Sequence, residues 1–454
     1  MKNMTLENIA QCCGGTYFGL EETKYKEVTS IAIDSRKVTK DGLFIPIRGE
    51  RVDGHSFIPQ VFEAGVLACL SEEKLEAPKG AYILVDSTPK ALQKIAAFYR
   101  QSLDIKVVGI TGSVGKTSTK EMIASVLKEK FHVHKTAGNF NNEIGLPLTV
   151  FDLREEHEVA VLEMGISDFG EMDRLARIAN PNVCVITNIG QCHLEFLGDR
   201  DGVLRAKTEV FAHMKENGVA VLNGDDDKLA SVKEVCGKSP IFYGKSTKDV
   251  YAADIEILGL EGIRMTLHLQ GEEAKVTVPI PGEHNVYNAM AAACVGKALG
   301  MNLDEICRGI EAVQTISGRS NLITANGMTI IDDCYNANPV SMKASIDILS
   351  HAKGRKIAVL GDMGELGKDE KELHYGVGEY FKNKDVDMLF CAGELSAELA
   401  RGAKEHTNCQ VKYFVDREEL IEALLQEVKN EDTILVKASH FMDYAKIVEA
   451  LKNK

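Results

Sequence analysis

Apolar and polar positions recur along this chain with two different periods, and the changes between these periods divide it into three segments. Up to residue 104, short β-rich runs are separated by polar turns, and a helical pattern follows over residues 89–103. The β-rich runs include SIAIDSR, GLFIPIRG and AYILVDS. This mixture predicts a small α/β domain over residues 1–104.

The second segment, residues 105–317, alternates apolar strand-like runs with helical patterns. The runs VAVLEMG, VCVITNIG and GVAVLNGDD are typical of buried parallel strands that are joined by crossover helices. Between residues 254 and 280 the pattern becomes an alternating one, which predicts an antiparallel β-rich insert. An Ala-rich helix is predicted to follow over residues 285–299.

The last segment, residues 318–454, contains five apolar runs that each precede a helical stretch. These runs are MTIIDDCY, KIAVLGDMG, DMLFCAG, VKYFV and DTILVKAS. They predict a second doubly wound sheet, that is, a C-terminal Rossmann-like domain. Ligands of open α/β sheets bind beyond the carboxyl ends of the strands, so the strand-end motifs of the two sheets are expected to face each other across a cleft.

The stretch VVGITGSVGKTSTKEMI combines a strand pattern, a glycine-rich turn and the start of a helix. Gly112 and Gly115 would let the backbone approach phosphate oxygens, so that N–H groups and the positive end of the helix face the anion. Lys116 would supply a positive charge for the β- and γ-phosphates, and Thr117 a hydroxyl group for Mg²⁺. The usual pattern has a further glycine where this chain has Ile110. The stretch predicts a central P-loop ATPase domain; the alternative is a tight turn with a solvated lysine.

Two side chains near successive strand ends suggest a metal site beside this loop. Glu163 ends the apolar run VAVLE, and His193 follows the end of the next predicted strand. A strand-terminal acid is the expected partner of Thr117 at a metal ion. Taken alone, the acid is equally compatible with a surface position and the histidine with a hydrogen-bonding role. Together they favour a Mg²⁺ site, at which we expect Mn²⁺ to be tolerated because imidazole is a less usual ligand for Mg²⁺ than oxygen.

Length and composition exclude several protein classes. The chain has 454 residues, which is enough for roughly three domains, and its 44% hydrophobic and 26% charged residues are typical of soluble globular proteins. Glu7 and Gln11 interrupt any N-terminal apolar signal segment, and no apolar run reaches the roughly eighteen residues of a spanning helix. We therefore predict a cytoplasmic protein without membrane insertion.

The net charge and the cysteine content bear on two further questions, namely whether the protein binds nucleic acid and whether its cysteines form disulfides or a metal site. The net charge of −14 disfavours nucleic acid, because binding to a phosphate backbone needs a basic surface. Eleven cysteines without a CxxC pair predict reduced thiols. Cys192 beside His193 raises the alternative of a zinc site, but Cys184 lies on an apolar strand at the wrong spacing to complete it.

A series of motifs then occurs in a fixed order along essentially the whole chain. They are DSRKVTKDGLFIPIRGERVDGHSF, TGSVGKTSTKEM, KTAGNFNNEIGLPLT, EMGISDFGE, NIGQCHLEFLG, RAKTEVF, GEHNVYNAMAA, SGRSN, DDCYNANPVSM and LGDMGELG. With these motifs the chain resembles the Mur ligases of peptidoglycan synthesis. YNANP and the paired asparagines of GNFNNEIG resemble the family member that adds D-alanyl-D-alanine rather than its relatives.

The resemblance implies roles for the motif residues. Residues implied to bind ATP are Gly112, Ser113, Gly115, Lys116, Thr117, Ser118, Asn285, Arg319, Asp333 and Asn336. Among these, the two asparagines would lie near the adenine, and Arg319 and Asp333 would reach the phosphates and ribose. The implied metal ligands are Thr117, Glu163, His193 and Lys207. Lys207 matches a lysine that carries a carbamate in many members, and the implied catalytic residues are Lys116, Glu163, His193 and Lys207.

The resemblance also implies a site for a nucleotide-sugar peptide. Its uridine end would be held by Asp34, Ser35 and Arg36, and its pyrophosphate and sugar would follow a path lined by Thr136, Asn139 and Asn142. Family members commonly have a Lys-Gly-Ser run and a basic residue near the C-terminus. This chain departs from that pattern with Ala438 and His440, which bears on contacts with the incoming dipeptide.

The implied activity is ATP-dependent amide ligation through an acyl phosphate. The implied substrates are UDP-N-acetylmuramoyl-tripeptide and D-alanyl-D-alanine, and the implied oligomeric state is a monomer. Two alternatives stay open at this point. One is a related ligase that adds a different amino acid or extends folate with glutamate, and the other is a nucleotide-gated binding module that hydrolyses ATP without ligation.

Overall fold

The computed structural model describes residues 1–247 and 249–454 and contains three β-sheets. The sheets lie within residues 16–84, 106–278 and 321–437, and helices cover them. The predicted α/β class, with a small N-terminal sheet, a central P-loop sheet and a C-terminal Rossmann-like sheet, is confirmed. Among the described residues, none of the helices has both the length and the apolar character needed to cross a bilayer.

The N-terminal sheet has the strand order β1-β5-β4-β3-β2, in which only β1 runs antiparallel to its neighbour. Strands β1 to β5 are Thr16–Phe18, Ile31–Ala32, Leu43–Phe44, Ala68–Ser71 and Ala81–Leu84. Helices α1 to α4 are Leu6–Cys13, Glu21–Lys24, Ile58–Glu63 and Thr88–Gln101. The last of these confirms the predicted helix over residues 89–103 to within two residues.

The central sheet has nine strands in the order β14-β13-β12-β11-β10-β9-β6-β8-β7. Strands β6 to β14 are Lys106–Thr111, Val133–Lys135, Val159–Glu163, Val183–Ile186, Val219–Asn223, Ile241–Tyr243, Val250–Ile257, Ile263–Leu269 and Glu272–Val278. Helices α5 to α11 are Lys116–Lys128, Gly145–Phe151, Glu171–Ala179, Leu194–Leu197, Arg200–Thr208, His284–Ala298 and Leu303–Glu311. The sequence had predicted the Ala-rich helix α10 over residues 285–299.

The predicted antiparallel insert is present, but it begins at Val250 and not at residue 254. Its first strand, β12, also pairs in parallel with β11, so the insert extends the central sheet. The difference has a local cause, because Asp254 lies at a register shift between Ala253 and Glu256 and has a positive φ of 50°. This irregularity breaks the alternating pattern in the middle of the strand.

The C-terminal sheet has the order β15-β16-β20-β17-β18-β19. Strands β15 to β20 are Asn321–Ala325, Met328–Asp332, Lys356–Gly361, Met388–Ala392, Gln410–Phe414 and Thr433–Lys437. Helices α12 to α16 are Pro339–Ser350, Glu370–Glu379, Ser396–His406, Arg417–Glu427 and Ala445–Lys452. The five predicted strands are parallel, and β15 is an additional antiparallel edge strand that the sequence pattern did not reveal.

Packing joins the N-terminal sheet firmly to the central one. Helix α4 of the N-terminal part shares one apolar core with helices α6 and α7 of the central part. The buried Tyr99 hydroxyl donates to the Leu153 carbonyl at 2.7 Å, and the buried Arg100 Nε donates to the Ala179 carbonyl at 3.0 Å. Because these bonds lie inside an apolar core, the two sheets are held as one packed body.

Candidate active site

The parallel pairing of β6 with β8 and β9 brings three strand ends to one edge of the central sheet. Ile110 is in register with Glu163, and Thr111 is in register with Ile186. The glycine-rich loop leaves this edge and leads into α5 at Lys116. Ile110, where the usual pattern has a glycine, is a buried residue of the strand itself and therefore does not take part in the turn.

The loop backbone requires glycine at two positions. Gly112 has a φ of 148°, and a Cβ atom there would lie 1.9 Å from Thr187 Oγ1. Gly115 has a φ of 82° and precedes the first helical residue. Lys116 Nζ donates to the Gly112 carbonyl at 2.9 Å, which bends the lysine back over the loop. In the described chain no side chain caps α5, so the N–H groups of its first turn face outward, as an anion site requires.

The segment after β9 holds the loop in place. Asn188 Oδ1 accepts the Val114 N–H at 2.9 Å, and the Thr187 hydroxyl donates to the Val114 carbonyl at 2.7 Å. Ser113 Oγ accepts the Gly190 N–H at 2.8 Å and the Cys192 thiol at 3.2 Å. Sequence reasoning missed Thr187 and Asn188, although a polar pair directly after a buried strand was a usable signal. Ser118 lies half-buried in the first turn of α5.

Glu163 provides a buried carboxylate with one oxygen free of hydrogen bonds. The residue is 2% exposed, and its Oε1 accepts from Asn141 Nδ2 at 2.8 Å and from Thr117 Oγ1 at 3.3 Å. Its Oε2 has no hydrogen-bond partner among residues 1–247 and 249–454, although Lys120 Nζ lies 3.7 Å away. A buried carboxylate oxygen without a donor, beside a hydroxyl group at the start of the phosphate helix, fits a divalent cation.

His193 lies at the same edge, at the start of α8, with a left-handed φ of 50°. Burial lowers the pKa of His193, and the charges of Lys207 and Lys116 act in the same direction, whereas Glu365 opposes them. The neutral imidazole is the form that binds metals. Within the described residues, however, no three His, Cys, Asp or Glu side chains come together as a metal site, so Glu163 and His193 alone do not complete one.

Lys207 is a buried lysine on helix α9. It is 1% exposed, and its ammonium group forms no hydrogen bond or ion pair with any residue that the structure describes. The carboxylates near it in sequence are engaged elsewhere, because Asp201 pairs with Lys228 at 2.5 Å and Glu209 accepts the Gly170 N–H at 3.0 Å. Burial, together with the positive charge of Lys116, lowers the pKa of Lys207 to about 7.

The segment after β7 is attached to the end of β8. Thr136 is buried, and its Oγ1 accepts the Glu163 N–H at 2.9 Å. The buried Lys120 Nζ donates to the Thr136 carbonyl at 2.7 Å. Asn139 is exposed, and Asn142 Oδ1 accepts the Gly145 N–H at 2.8 Å at the start of α6. Sequence reasoning missed Lys120 and Asn141, whose contacts join residues distant in sequence.

The predicted uridine element forms a tight turn in the N-terminal part. Asp34 Oδ1 accepts the Arg36 N–H at 3.0 Å, and the Arg36 guanidinium donates to both carboxylate oxygens of Asp34 at 2.9 and 2.8 Å. Hydrogen bonds from Arg36 lower the pKa of Asp34 to about 2. The guanidinium is mostly exposed, and Ser35 is half-buried beside it. The pair therefore presents a fixed donor surface to solvent.

The predicted nucleotide residues of the C-terminal sheet form a second group. The Arg319 guanidinium lies 4.1 Å from the ring centre of Tyr335, and Asn336 is exposed. Asp333 is buried, with Oδ1 accepting the Ser320 N–H at 3.0 Å and Oδ2 accepting Lys437 Nζ at 2.6 Å. The carboxylate of Asp333 is therefore fully used inside the domain.

Asn285 is buried on α10 in the central part. Its Nδ2 donates to the Pro281 carbonyl at 2.9 Å, and its Oδ1 accepts from Asn288 Nδ2 at 2.8 Å. Asn288 in turn accepts the Thr119 hydroxyl at 2.8 Å, which connects α10 to the phosphate helix. The side chain of Asn285 thus fixes the start of α10 against α5.

Two observations indicate that the carboxyl edges of the central and C-terminal sheets lie near each other. His193 Nδ1 lies 3.6 Å from Glu365 Oε2, which belongs to the loop after β17. Burial lowers the pKa of Lys116. Glu163 and Cys192 oppose this shift, whereas the positive charge of Arg319 lowers the pKa further. A loop of the C-terminal part therefore lies beside His193 at the carboxyl edge of the central sheet; a cleft between the two sheets stays a prediction.

Comparison with known proteins assigns a family to this arrangement. The family model described as Mur ligase middle domain matches residues 110–296, the model described as Mur ligase, glutamate ligase domain matches residues 318–440, and the model described as Mur ligase family, catalytic domain matches residues 27–100. The chain is 42% identical to the UDP-N-acetylmuramoyl-tripeptide--D-alanyl-D-alanine ligase of Bacillus subtilis, over 99% of each chain. It is 33% identical to the Escherichia coli protein of the same name, over 100% of this chain and 99% of the other.

Solved structures agree with the sequence comparison. MurF from Acinetobacter baumannii superposes with a TM-score of 0.91 at 33% identity, covering 99% of each chain. MurF from Thermotoga maritima, solved in complex with ADP, superposes with a TM-score of 0.83 at 31% identity, covering 93% of this chain and 97% of the other.

Proposed function

The chain belongs to the Mur ligase family, and from that premise we propose that it joins D-alanyl-D-alanine to UDP-N-acetylmuramoyl-tripeptide with consumption of ATP. The observation that carries this proposal is the geometry around the glycine-rich loop. Lys116 lies over the loop, Thr117 donates to the buried Glu163 at 3.3 Å, and His193 lies 3.6 Å from Glu365 of the C-terminal part. The names of the full-length relatives and the ADP complex of the Thermotoga protein support it. We further propose that it acts as a cytoplasmic monomer in peptidoglycan precursor synthesis, as membership of the family implies.

The reaction needs activation of a carboxylate. At neutral pH a peptide carboxylate is a poor electrophile, so the terminal phosphoryl group of ATP is first transferred to its oxygen, giving an acyl phosphate and ADP. The amine of the dipeptide then attacks the carbonyl carbon, the amide bond forms, and phosphate leaves. The products are UDP-N-acetylmuramoyl-pentapeptide, ADP and phosphate. Charge gathers on the transferring phosphoryl group, and fixed positive groups stabilise it.

We propose that Lys116 and the N–H groups of the first turn of α5 hold the β- and γ-phosphates. Thr117, Glu163, His193 and a carbamylated Lys207 would hold Mg²⁺, for which Mn²⁺ should substitute. The metal, when bound, offsets the negative charge of the phosphates. The free Oε2 of Glu163 and the neutral form of His193 support this assignment.

For the remainder of the nucleotide, we propose that Arg319 and Asn336 reach it from across the cleft. Asp333 would contribute to binding of the phosphates and ribose indirectly. Its carboxylate oxygens accept hydrogen bonds from the Ser320 N–H and from Lys437 Nζ, and so position these two residues. Asn285 would act near the adenine by fixing the start of α10. Closure of the C-terminal sheet on the central one would then exclude water from the acyl phosphate.

We propose a corresponding division of labour along the chain. Residues 1–104 would bind the uridine end of the nucleotide-sugar peptide, residues 105–317 would bind ATP, and residues 318–454 would bring the dipeptide. Thr136, Asn139 and Asn142 would line the path from the uridine site to the reaction centre. Two hydrogen bonds support this path, because they join the substrate loop to the proposed metal ligand: the Glu163 N–H donates to Thr136 Oγ1, and Asn141 Nδ2 donates to Glu163 Oε1.

A phosphate-release assay on the purified protein tests the function. With ATP and Mg²⁺, we expect rapid phosphate release only when both UDP-N-acetylmuramoyl-tripeptide and D-alanyl-D-alanine are present, together with formation of the pentapeptide product. Release that needs no acceptor would favour a nucleotide-gated binding module. Release that depends on glutamate or another single amino acid would favour a related ligase.

Arg36→Ala tests the division of labour. We expect the KM for UDP-N-acetylmuramoyl-tripeptide to rise by roughly 10-fold or more, because charged hydrogen bonds contribute about 1.5–3 kcal/mol each, while the KM for ATP stays unchanged. Ser35→Ala should act in the same direction. Lys40→Ala, which removes a positive charge from an exposed position nearby, is the control. A rise in the KM for ATP instead would refute the assignment of the uridine site.

A further inference from the structure

A cavity of about 490 Å³ opens at the carboxyl edge of the C-terminal sheet. Its lining consists of Asn336, Gly364, Glu365, Ser439, His440 and Phe441. Ser439 Oγ accepts the Gly364 N–H at 2.8 Å and donates to the Ala337 carbonyl at 3.4 Å. These bonds tie together the three loops that surround the cavity, so its walls have a defined shape before any ligand binds.

The chemical character of the lining is uneven. Glu365 is the one acidic side chain in it among the described residues, whereas His440 and Asn336 can donate hydrogen bonds and Phe441 offers an exposed apolar ring. Glu365 also has a left-handed φ of 59°, an uncommon conformation for a residue with a Cβ atom. This conformation directs an 80% exposed carboxylate out of the C-terminal part towards His193.

We propose that Glu365 binds the α-ammonium group of the incoming dipeptide and thereby sets its orientation in this cavity. The inference rests on the function proposed above. D-alanyl-D-alanine carries a positive charge at the amine that must attack and a negative charge at the other end. Among the lining residues, Glu365 is the one seen to reach the reaction centre, at 3.6 Å from His193 Nδ1. The amine therefore lies at the Glu365 end, and the dipeptide carboxylate lies towards His440.

The competing explanation for the contact of Glu365 with His193 is a latch, that is, a contact that only holds the two sheets together. A separation of 3.6 Å is too long for a hydrogen bond, and exposed ion pairs contribute little to stability. The carboxylate thus keeps most of its hydrogen-bonding capacity for a ligand. A dipeptide ammonium group has three N–H donors and would use that capacity directly.

The variant Glu365→Gln tests the proposal, because it keeps the shape of the side chain and removes its charge. We expect the KM for D-alanyl-D-alanine to rise roughly 10- to 100-fold, while the KM values for ATP and for UDP-N-acetylmuramoyl-tripeptide stay unchanged. Glu372→Gln is the control, since it removes one negative charge from an exposed position on α13 of the same domain. Its three KM values should equal those of the unmodified protein.

A competitive inhibitor that lacks the ammonium group can separate recognition of the dipeptide's positive charge from recognition of its shape. D-lactoyl-D-alanine has a hydroxyl group in place of the ammonium group, so Glu365→Gln should leave its inhibition constant unchanged if Glu365 recognises the positive charge. Equal weakening of both ligands, or a parallel rise in the KM for ATP, would overturn the inference in favour of a latch or a change in loop shape. An unchanged KM for the dipeptide in a variant that ligates would overturn it as well. Failure of the unmodified protein to ligate would instead refute the proposed function itself.

Discussion

Lys116→Ala is expected to lower the turnover number by roughly 10²- to 10⁴-fold, the scale of effects seen when a charge that stabilises a phosphoryl transition state is removed. The Lys116 side chain starts at the first residue of the phosphate helix and its ammonium group lies over the loop, 2.9 Å from the Gly112 carbonyl. A group in that position meets the phosphates of a nucleotide bound at the N-terminus of α5. Its loss removes positive charge where negative charge gathers.

The measurement is ligation under saturating substrates, together with binding of UDP-N-acetylmuramoyl-tripeptide at equilibrium. Binding of the peptide substrate should be retained, because the proposed uridine site is a turn of the N-terminal part and not part of the phosphate loop. Lys128→Ala is the matched control, since it removes an exposed lysine from the other end of the same helix. Turnover close to normal in the Lys116 variant would contradict the assignment of the phosphate loop.

The sequence predicted those parts of the site that depend on local pattern. Gly112, Gly115 and Lys116 follow a buried strand and begin a helix, and a local backbone requirement fixes all three. Glu163 could be predicted because a polar residue that ends an apolar run must lie at the strand edge. The domain-scale alternation of strands and helices was likewise a property of neighbouring residues.

The parts that could not be predicted depend on contacts between distant residues. Lys120 donates to Thr136, and Asn141 donates to Glu163, because the parallel pairing of β7, β8 and β6 brings separate loops together. Short strands such as Val133–Lys135 carry too few residues to show a period. Strand β15 has a half-buried pattern at a sheet edge, which left it indistinguishable from a loop.

The environment of Lys207 is another feature that depends on contacts between distant residues and could not be predicted from the sequence. Asp201 and Glu209 lie close to Lys207 in the sequence and would suit an ordinary surface lysine, but the structure buries Lys207 and engages both acids elsewhere. The tertiary packing of α9 therefore decides whether this lysine is a surface residue or part of the active site. A buried ammonium group without a partner is costly, which calls for a chemical explanation of its position.

The largest chemical change that we predict is carbamylation of Lys207. A free ammonium group here would lie in the field of Lys116 and of a bound divalent cation, and two unit charges 4 Å apart repel by about 4 kcal/mol at an effective dielectric constant of 20. Attack of the neutral amine on CO₂ forms an N–C bond and releases a proton, which turns the positive group into a carboxylate-like anion. A pKa of about 7 makes a large share of the amine neutral at physiological pH, whereas an ordinary lysine has roughly one part in a thousand or less.

Lys207→Ala should therefore lower ligation by roughly 10²- to 10³-fold, the scale of an electrostatic contribution to phosphoryl transfer, and short carboxylic acids such as acetate should restore part of it. Lys207→Arg should be equally inactive but resist rescue, because its side chain fills the space and keeps a positive charge that cannot be carbamylated. Lys215→Ala removes an exposed lysine and serves as the control.

Because the neutral amine is the reacting form, the carbamate signal of protein equilibrated with ¹³C-bicarbonate should grow as the pH rises through about 7. The signal should be missing in both Lys207 variants. Full activity of Lys207→Ala, or the same ¹³C signal without Lys207, would remove the carbamate from the mechanism and leave the proposed metal site with Thr117, Glu163 and His193 alone.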